Sequence, residues 1–539
     1  MTYDYIIIGA GSAGCVLADR LSESAKHSVC VLEAGSDNNS FLVNTPGAFA
    51  AFMFLKKYNW SFEANAVGDI RNGTPMFVPR GKGLGGSSST NAMLYVRGQA
   101  QDYDTWANLG NEGWSFKDML PHFKRCETND KGANEYHGDK GPLHVSTRPV
   151  HYEISKRFIE AGKQVGFKYN DDFNGEDQEG VGYYQCTIKD GKRCGAARAF
   201  LKPALSRENL NVKTGALVKR ILFKGKVAIG VEYEQAGQIH SLYANKEVIL
   251  SAGAIQSPHI LMLSGVGDAK ELVKHNIDSI QHLPGVGKNL QEHVDACILV
   301  KSKKRDGFTA SLSGLLKMTP HAFKYLFNKT GKLANSILEA GAFLKSRDDL
   351  DSPDIQLHML PLLYDDNGRD LKLMGQHGYS CHVCVLRPES RGQISLRSAD
   401  FKDAPNIDFN FFSDKEGKDK QVIVDGMRQL RKILGAPAFE DYHVEEMHPG
   451  ISQQSDDEVF AKAKERLGLV YHPVGTCKMG VDEMAVVDKD LRVHGLENLR
   501  VVDASIMPTL VSGNTNAPTM AIAQKAADSI LALSRSFSD

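Results

Sequence analysis

The sequence YDYIIIGAGSAGCVLADRLSESAKHSVCVLEAG spans residues 3–35 and sets the architecture of the N-terminal region. An apolar run rich in isoleucine, residues 5–8, precedes a glycine turn, and a stretch with helical periodicity follows the turn. A second β-branched run then ends at Glu33. This order predicts a βαβ unit, the building block of a doubly wound α/β domain.

The glycine turn carries the pattern GxGxxG at Gly9, Gly11 and Gly14, and Glu33 follows Gly14 by 19 residues. Glycines there let the backbone approach a pyrophosphate at a helix N-terminus, and an acid at that distance can bind ribose hydroxyls. The glycine pattern alone is weak, because such turns join many strands to helices. Together with both strands, the helix and the acid, it predicts dinucleotide binding.

Bulk composition limits the classes of function. With 539 residues, the chain is long enough for two or more domains. Its 64 lysines and arginines nearly balance its 65 acids, and 42% of its residues are hydrophobic, so neither disorder nor a nucleic-acid partner is expected. No apolar run is long enough to span a membrane, and no basic leader precedes the first strand.

The nine cysteines are scattered and odd in number, which is not the pattern of a disulfide framework and predicts a cytoplasmic location. Cys381 and Cys384 form a CxxC pattern, but they lie in a strand-like segment, where residues three apart point to opposite faces. No metal site is expected.

Later segments predict a second domain and a return to the first. Period-two alternation in residues 378–412 is typical of antiparallel strands, which we expect to form a sheet that covers the bound dinucleotide. The last 75 residues again alternate strand and helix. A strand ends at Asp503, and a helix begins with Asn516 and Pro518, residue types suited to a helix start.

Two further glycine-bearing segments offer backbone amides and hydroxyls to a polar ligand, RGKGLGGSSSTNAMLYVRG (80–98) and SAGAIQSPHILMLSGVG (251–267). Both resemble the signature segments of the glucose–methanol–choline (GMC) oxidoreductases. The resemblance continues in residues 387–396, 471–480 and 501–528 and so covers essentially the whole chain. Within the family, residues 190–201, 338–346 and 514–519 resemble bacterial FAD-linked dehydrogenases of aliphatic alkanols most closely.

The resemblance implies an α/β fold with a Rossmann-like FAD-binding domain and a substrate domain built on an antiparallel sheet. It divides the chain into an FAD-binding domain of residues 1–155, 196–300 and 465–539 and a substrate domain of residues 156–195 and 301–464. It also implies FAD contacts at Gly9, Gly11, Ser12, Gly14, Glu33, Gly86, Ser87, Asn91, Met93, Val218, Asp503 and Ala504. Some members attach FAD covalently through a histidine directly before the signature asparagine; Thr90 stands before Asn91 here, so noncovalent FAD is expected.

The family's catalytic pair matches His472 and Asn516. Alcohol oxidation requires a base for the hydroxyl proton, and imidazole titrates near neutrality, so His472 is the predicted base. The alternative is a structural imidazole that caps the strand before Pro473. Asn516 cannot take a proton, but its amide can orient the hydroxyl. The positive end of the helix that begins near Ala517 would stabilise negative charge on reduced flavin.

We therefore expect oxidation of primary, aliphatic alcohols to aldehydes by hydride transfer to flavin N5, with electrons passed to a quinone-like acceptor. Choline dehydrogenase and oxygen-using alcohol oxidase are the enzymatic alternatives, and a flavin-binding redox sensor is the non-enzymatic one. An anaerobic reaction with alcohol distinguishes enzyme from sensor.

Two apolar segments with lysines raise the question of peripheral contact with the inner membrane. NTPGAFAAFMFLKKY (44–58) is interpreted as a packed helix or lid, and SLSGLLKMTPHAFKYLFNKTGKL (311–333) as a half-buried helix. Basic amphipathic segments can also lie on anionic lipid, so membrane contact stays open as a hypothesis.

Overall fold

The computed structural model describes residues 1–536. Within them the strands are β1 (Thr2–Ile8), β2 (Val29–Glu33), β3 (Phe62–Ala64), β4 (Met76–Val78), β5 (Glu127–Asn129), β6 (Leu143–Val145), β7 (Gly180–Tyr183), β8 (Ile188–Lys189), β9 (Lys192–Arg193), β10 (Leu210–Thr214), β11 (Ala216–Lys224), β12 (Val227–Gln235), β13 (Gln238–Leu250), β14 (Val266–Gly267), β15 (Gln281–His282), β16 (Val294–Ser302), β17 (Ala340–Leu344), β18 (Ile355–Leu360), β19 (Gly378–Val385), β20 (Gln393–Ser395), β21 (Asn406–Asp408), β22 (His443–His448), β23 (Gly468–Leu469) and β24 (Leu499–Val501). The α-helices are α1 (Ser12–Ser22), α2 (Phe41–Asn44), α3 (Ala100–Asn108), α4 (Phe116–Cys126), α5 (Glu153–Gln164), α6 (Lys202–Ala204), α7 (Gly253–Leu263), α8 (Ala269–Lys274), α9 (Leu312–Asn328), α10 (Leu371–Met374), α11 (Lys418–Leu434), α12 (Asp456–Glu465) and α13 (Asn516–Ser536).

The first large sheet confirms the predicted doubly wound fold. Its path is β10-β2-β1-β13-β12-β11, and β24 pairs with the end of β13. The pairs among β10, β2, β1 and β13 are parallel, whereas β11 and β12 add an antiparallel flap. A parallel sheet is covered on both faces, which explains why every residue of β2 is buried. The C-terminal strand thus returns to the sheet that contains the N-terminal strand.

The turn between β1 and α1 needs glycine for two reasons. Gly9 has φ of 96°, in the left-handed region that side chains disfavour. At Gly14, a Cβ atom would lie 1.9 Å from the Gly9 carbonyl oxygen, so only glycine lets α1 pack this closely on the turn. α1 also packs against α13, which ties the two ends of the chain together.

The second large sheet is antiparallel throughout, as the sequence predicts. Its path is β22-β16-β19-β18-β17-β7, and β23 pairs with β16. All eight residues of β19 are buried, because α11 packs on this sheet. The later strands β20 and β21 lie outside it and pair only with each other in a short two-stranded sheet.

The predicted domain division stays a prediction, and one of its boundaries cuts a strand. β16 begins at Val294, inside the segment 196–300 assigned to the FAD domain, but it pairs in the second sheet. Because β16 is buried on both faces, its sequence does not alternate between apolar and polar residues. Its apolar run is therefore like that of a buried parallel strand, and the pattern alone does not assign it to the second sheet.

The two lysine-bearing apolar segments differ from each other. Residues 46–53 form a 3-10 helix with Phe49 and Phe52 buried, in line with the packed interpretation. α9, in contrast, buries Gly314 and Tyr325 on one side and exposes large apolar residues on the other, so it is half-buried as interpreted, but its apolar side faces the solvent. In the described part of the chain, no helix is both long and apolar enough to cross a membrane.

Candidate active site

One cavity runs along the carboxyl ends of the parallel strands and continues to the second sheet. Residues that follow β1, β2, β13 and β24 line its first part, as expected for ligand sites in open α/β sheets. Residues of β18 and β19 line its other part. The predicted cofactor residues on its wall are Gly9, Gly11, Ser12, Glu33, Gly86, Ser87, Asn91, Met93, Val218, Asp503 and Ala504. Gly14 is the exception, because it serves helix packing instead.

The N-terminus of α1 fits a pyrophosphate. Gly11 caps the helix without a side-chain hydrogen bond, so the first backbone N–H groups keep their capacity to donate to an anion. A Cβ atom built on Gly11 meets no protein atom within 4 Å, which leaves the space above the turn open to a ligand.

Two carboxylates are fixed at strand ends beside this turn. Glu33 accepts hydrogen bonds from the backbone of Ala10, Gly35 and Gly83, at 2.8–3.0 Å. Asp503 accepts from the Gly253 backbone and the Ser257 hydroxyl, at 2.9 and 2.6 Å. Both side chains are therefore held rigidly where strands end at the cavity.

His472 lies at the junction between the two sheets and lines the cavity. Its Nδ1 lies 2.9 Å from Nδ1 of His293, and its Nε2 lies 3.2 Å from the Asn514 amide nitrogen. Gln356 donates to Oδ1 of Asn514, which leaves the Asn514 NH2 group directed at His472. The imidazole is thus fixed on one side by a histidine and on the other by an amide donor.

The bond partners of His293 determine the tautomer of His472. Nε2 of His293 lies 3.0 Å from the Leu386 carbonyl, which can only accept, so that nitrogen carries the hydrogen. Burial lowers the pKa of His293 to about 4, so its ring is neutral and its Nδ1 accepts. His472 must then donate from Nδ1 and keep a lone pair on Nε2, the atom beside Asn514.

The electrostatic surroundings keep His472 neutral. Burial, followed by the neighbouring His293, His358 and Arg80, lowers the pKa of His472 well below its ordinary value. A neutral imidazole with its Nε2 lone pair at the cavity wall can accept a proton from a bound hydroxyl that takes the place of the Asn514 amide at Nε2.

The backbone that carries His472 is strained and braced. Tyr471 has φ of 68°, a conformation that costs a non-glycine residue on the order of 1–3 kcal/mol. Arg80 donates to the Tyr471 carbonyl at 2.6 Å, and the His472 N–H donates to Glu292 at 2.7 Å. Burial raises the pKa of Glu292 to about 8. These two contacts hold the imidazole in position.

Asn516 occupies a different place from Asn514. Its Oδ1 accepts from the Ser12 hydroxyl at 2.7 Å, so it joins the start of α13 to the start of α1. It also lines the cavity, with the N-terminus of α13. The structure therefore places Asn514 beside His472. It places Asn516 beside the glycine turn between β1 and α1.

Sequence reasoning missed Asn514, His293, Glu292 and Arg80. The motif NTN offers two asparagines, and spacing alone does not distinguish them. His293 and Glu292 lie 179 and 180 residues before His472, and neither stands in a motif that indicates a contact with it. Arg80 begins the segment 80–98, whose glycines and serines suggested a ligand site. Nothing in that segment indicates the hydrogen bond from Arg80 to the Tyr471 carbonyl.

Comparison with known proteins gives consistent matches. The family models of the N- and C-terminal parts of GMC oxidoreductases match residues 3–295 and 388–523. "Alcohol dehydrogenase [acceptor]" of Pseudomonas putida is 44% identical over 98% of this chain and 96% of its own. Oxygen-dependent choline dehydrogenase of Vibrio vulnificus is 42% identical over 98% of this chain and 94% of its own.

Among solved structures, formate oxidase of Aspergillus oryzae, studied for modification of its FAD, is 26% identical, with a TM-score of 0.90 over 99% of both chains. Both family models and relatives above 40% identity span nearly all of the sequence. The chain therefore belongs to the GMC oxidoreductase family, and it is an FAD-dependent oxidoreductase.

Proposed function

We propose that this protein oxidises primary, aliphatic alcohols to aldehydes, with His472 as the base and Asn514 as the residue that orients the hydroxyl. The observation that carries the proposal is the Nε2 lone pair of His472 at the cavity wall, 3.2 Å from the Asn514 amide. FAD binds noncovalently in this proposal, because Thr90 occupies the position at which a histidine would attach it.

The chain's own residues divide the work. The turn at Gly11, the start of α1 and Glu33 would hold the pyrophosphate and ribose of FAD. FAD, when bound, supplies the acceptor for the hydride that leaves the carbinol carbon. Nε2 of His472 takes the hydroxyl proton, and the Asn514 amide donates to the alcohol oxygen as its negative charge grows.

The charges on the cavity wall favour an uncharged alcohol. Besides Glu33 and Asp503, three carboxylates line the cavity, and each lies beside a basic side chain: Asp295 by His382 at 2.7 Å, Asp366 by Arg71 at 2.6 Å, and Asp365 by Arg466. Burial opposes protonation of His382, but Asp295 outweighs burial and raises the His382 pKa. No carboxylate in this set is left free to balance a substrate cation.

Apolar side chains cover other parts of the wall, among them Phe49, Met53, Leu338 and Leu360. They suit an alkyl chain. Choline oxidation is the second candidate, favoured by the identity to choline dehydrogenases and by the Trp60 and Tyr364 rings, which could contact a quaternary ammonium. The Trp60 ring, however, already carries the Lys82 ammonium at 4.6 Å.

A quinone-like compound is the proposed electron acceptor, in keeping with the acceptor-dependent relative from Pseudomonas putida. Quinones with long tails dissolve in lipid, so peripheral contact with the membrane would suit this acceptor. The cytoplasmic location stays a prediction.

An anaerobic substrate panel tests the proposal. Mixing the yellow holoenzyme with medium-chain 1-alkanols should bleach the flavin band near roughly 450 nm, whereas choline should bleach it more slowly. Adding a short-chain quinone should restore the band faster than oxygen does. Bleaching by choline alone would favour the second candidate, and no bleaching by any alcohol would favour a redox sensor.

Replacing each asparagine separately tests which one orients the substrate. Asn514→Ala should lower kcat about 10²-fold, since it removes the amide donor beside the developing oxyanion. Asn516→Ala should leave kcat of flavin-loaded enzyme nearly unchanged and should instead weaken flavin retention, because Asn516 bonds to Ser12. Stopped-flow flavin reduction and the ratio of flavin to protein absorbance measure the two effects. The reverse pattern would return the role to Asn516.

A further inference from the structure

α9 presents most of its large apolar side chains to solvent. Six large hydrophobic residues of this helix are between 52 and 79% exposed: Leu312, Leu315, Leu316, Phe323, Leu326 and Phe327. Only Gly314 and Tyr325 are buried. This is the inverse of the usual surface helix, whose apolar stripe faces the core.

The exposed residues form a single face. At about 100° of rotation per residue, all six fall within a sector of about 120°. Gly314 and Tyr325, at roughly 200° and 220° from Leu312, lie on the opposite side. Phe323 and Phe327 stack within the exposed face, with ring centroids 6.4 Å apart.

Further exposed apolar side chains lie beside α9, outside the sector of its six exposed residues. The Phe41 ring, 59% exposed, packs edge-on against Tyr325 at 5.8 Å. The 3-10 helix at residues 46–53 adjoins the segment after α9, where Gly47 lies against Leu333, and exposed Phe54 and Leu55 follow that helix. We call α9 with Phe41, Phe54 and Leu55 the apolar face.

Along the two segments that carry the apolar face, every charged residue is a lysine. No acidic residue occurs between Asp306 and Glu339, whereas Lys317, Lys324, Lys329 and Lys332 do. The other segment likewise has Lys56 and Lys57 but no acid between Asp37 and Glu63. The overall charge of the chain is near zero, so these two segments are more basic than the chain as a whole.

We propose that the apolar face docks on an anionic lipid surface. Its leucine and phenylalanine side chains enter the boundary between head groups and acyl chains, and the lysines contact the lipid phosphates. The lysine stems are already laid along apolar groups, since Lys329 lies over the Tyr325 and Phe41 rings at 4.7 and 5.5 Å. A second copy of the chain would bring the same lysines together and place like charges side by side.

Docking there also explains access to the cavity. Phe49 and Met53 line the cavity and belong to the 3-10 helix that leads directly to Phe54. A lipid-soluble alcohol or acceptor could therefore pass from the bilayer to the site. This consequence rests on the proposed function, whereas docking itself does not.

Vesicle flotation of the holoenzyme tests the docking. The wild type should float with vesicles of phosphatidylglycerol and phosphatidylethanolamine, less with phosphatidylcholine, and less at high salt. The variant Leu316→Asp/Phe323→Asp/Phe327→Asp should stay at the bottom of the density gradient. Its flavin content and its turnover of a short, soluble alcohol should equal those of the wild type. Lys317→Gln/Lys324→Gln should lower the partition onto anionic vesicles about 30-fold, because it removes two positive charges. The control Val273→Asp/Val481→Asp, at exposed sites outside the apolar face, should float like the wild type.

Phe327→Trp provides a readout that needs no charged substitution. The fluorescence of the introduced indole should shift to shorter wavelength with anionic vesicles and be quenched by brominated lipid. Flotation of the triple aspartate variant at the wild-type level, or emission from Phe327→Trp that anionic vesicles leave unshifted, would overturn the proposal. So would a wild-type dimer in light scattering that the triple variant converts to monomer, since a second copy would then cover this face. Failure of the substrate panel leaves these measurements unaffected.

Discussion

His472→Gln should lower kcat for alcohol oxidation by about 10²- to 10⁴-fold, the range of general-base contributions. Glutamine keeps much of the size of the imidazole and can still accept or donate hydrogen bonds, but it cannot hold the proton of the hydroxyl. Because His472 is nearly buried, a smaller residue would also disturb packing, which makes Gln the cleaner choice. Anaerobic stopped-flow reduction of the flavin measures the rate.

The pH profile gives a second readout of the same residue. Protonation removes the Nε2 lone pair, so kcat/KM of the wild type should fall as the pH drops through the pKa of His472. Burial lowers that pKa, and the acid limb should therefore lie below 6.5, the ordinary value. The limb should vanish in His472→Gln.

A matched substitution at another histidine controls for general damage. His27 is as exposed as His472, at 8%, but it lies by Tyr5 in the first sheet. His27→Gln should keep the wild-type rate. Equal rates for His472→Gln and the wild type, at equal flavin content, would show that imidazole 472 is structural.

Gly11→Val should yield a folded protein that holds FAD about 10- to 100-fold more weakly, the cost expected for overfilling a packed site. The backbone at Gly11 has φ of −75°, which valine tolerates, and a Cβ there meets no protein atom. The valine methyl groups would instead occupy the space above the start of α1, where the pyrophosphate fits. The purified protein should be nearly colourless.

Gly14→Ala should behave in the opposite way. Its Cβ would lie 1.9 Å from the Gly9 carbonyl, so the clash is within the protein and should destabilise the fold itself. Thermal melting distinguishes a loss of FAD binding from a loss of stability. Added FAD should raise the Tm of the wild-type apoprotein but not that of Gly11→Val. Gly14→Ala should have a lower Tm than the wild-type apoprotein or fail to fold. A yellow Gly11→Val protein would contradict the assignment of this turn to the pyrophosphate.

The sequence predicted those features that local patterns encode. The βαβ unit at residues 3–35, the antiparallel second sheet and the helix at Asn516 all depend on periodicity and turn residues that lie close together in the chain. The same holds for the cavity wall at Gly11 and Glu33, whose spacing follows from a single βαβ unit.

Contacts between distant segments could not be predicted in this way. His293, which sets the tautomer of His472, meets it because β16 pairs with β23; His293 directly precedes β16, and His472 follows β23. The brace from Arg80 to Tyr471 joins residues 391 positions apart. The outward apolar face of α9 escaped prediction for another reason: periodicity reveals that a helix has an apolar side, but not whether that side faces inward.

The pairing of β24 with β13, and of α13 with α1, sets the order of events during synthesis. β1 and α1 leave the ribosome long before β24 and α13, the partners that complete their sheet and cover their helix. Chains cut short before residue 499 would lack both, and they would expose the apolar surface of α1 to solvent and to aggregation. The cavity wall at Asp503, Ala504 and Asn516 is therefore complete only after these late segments have been made.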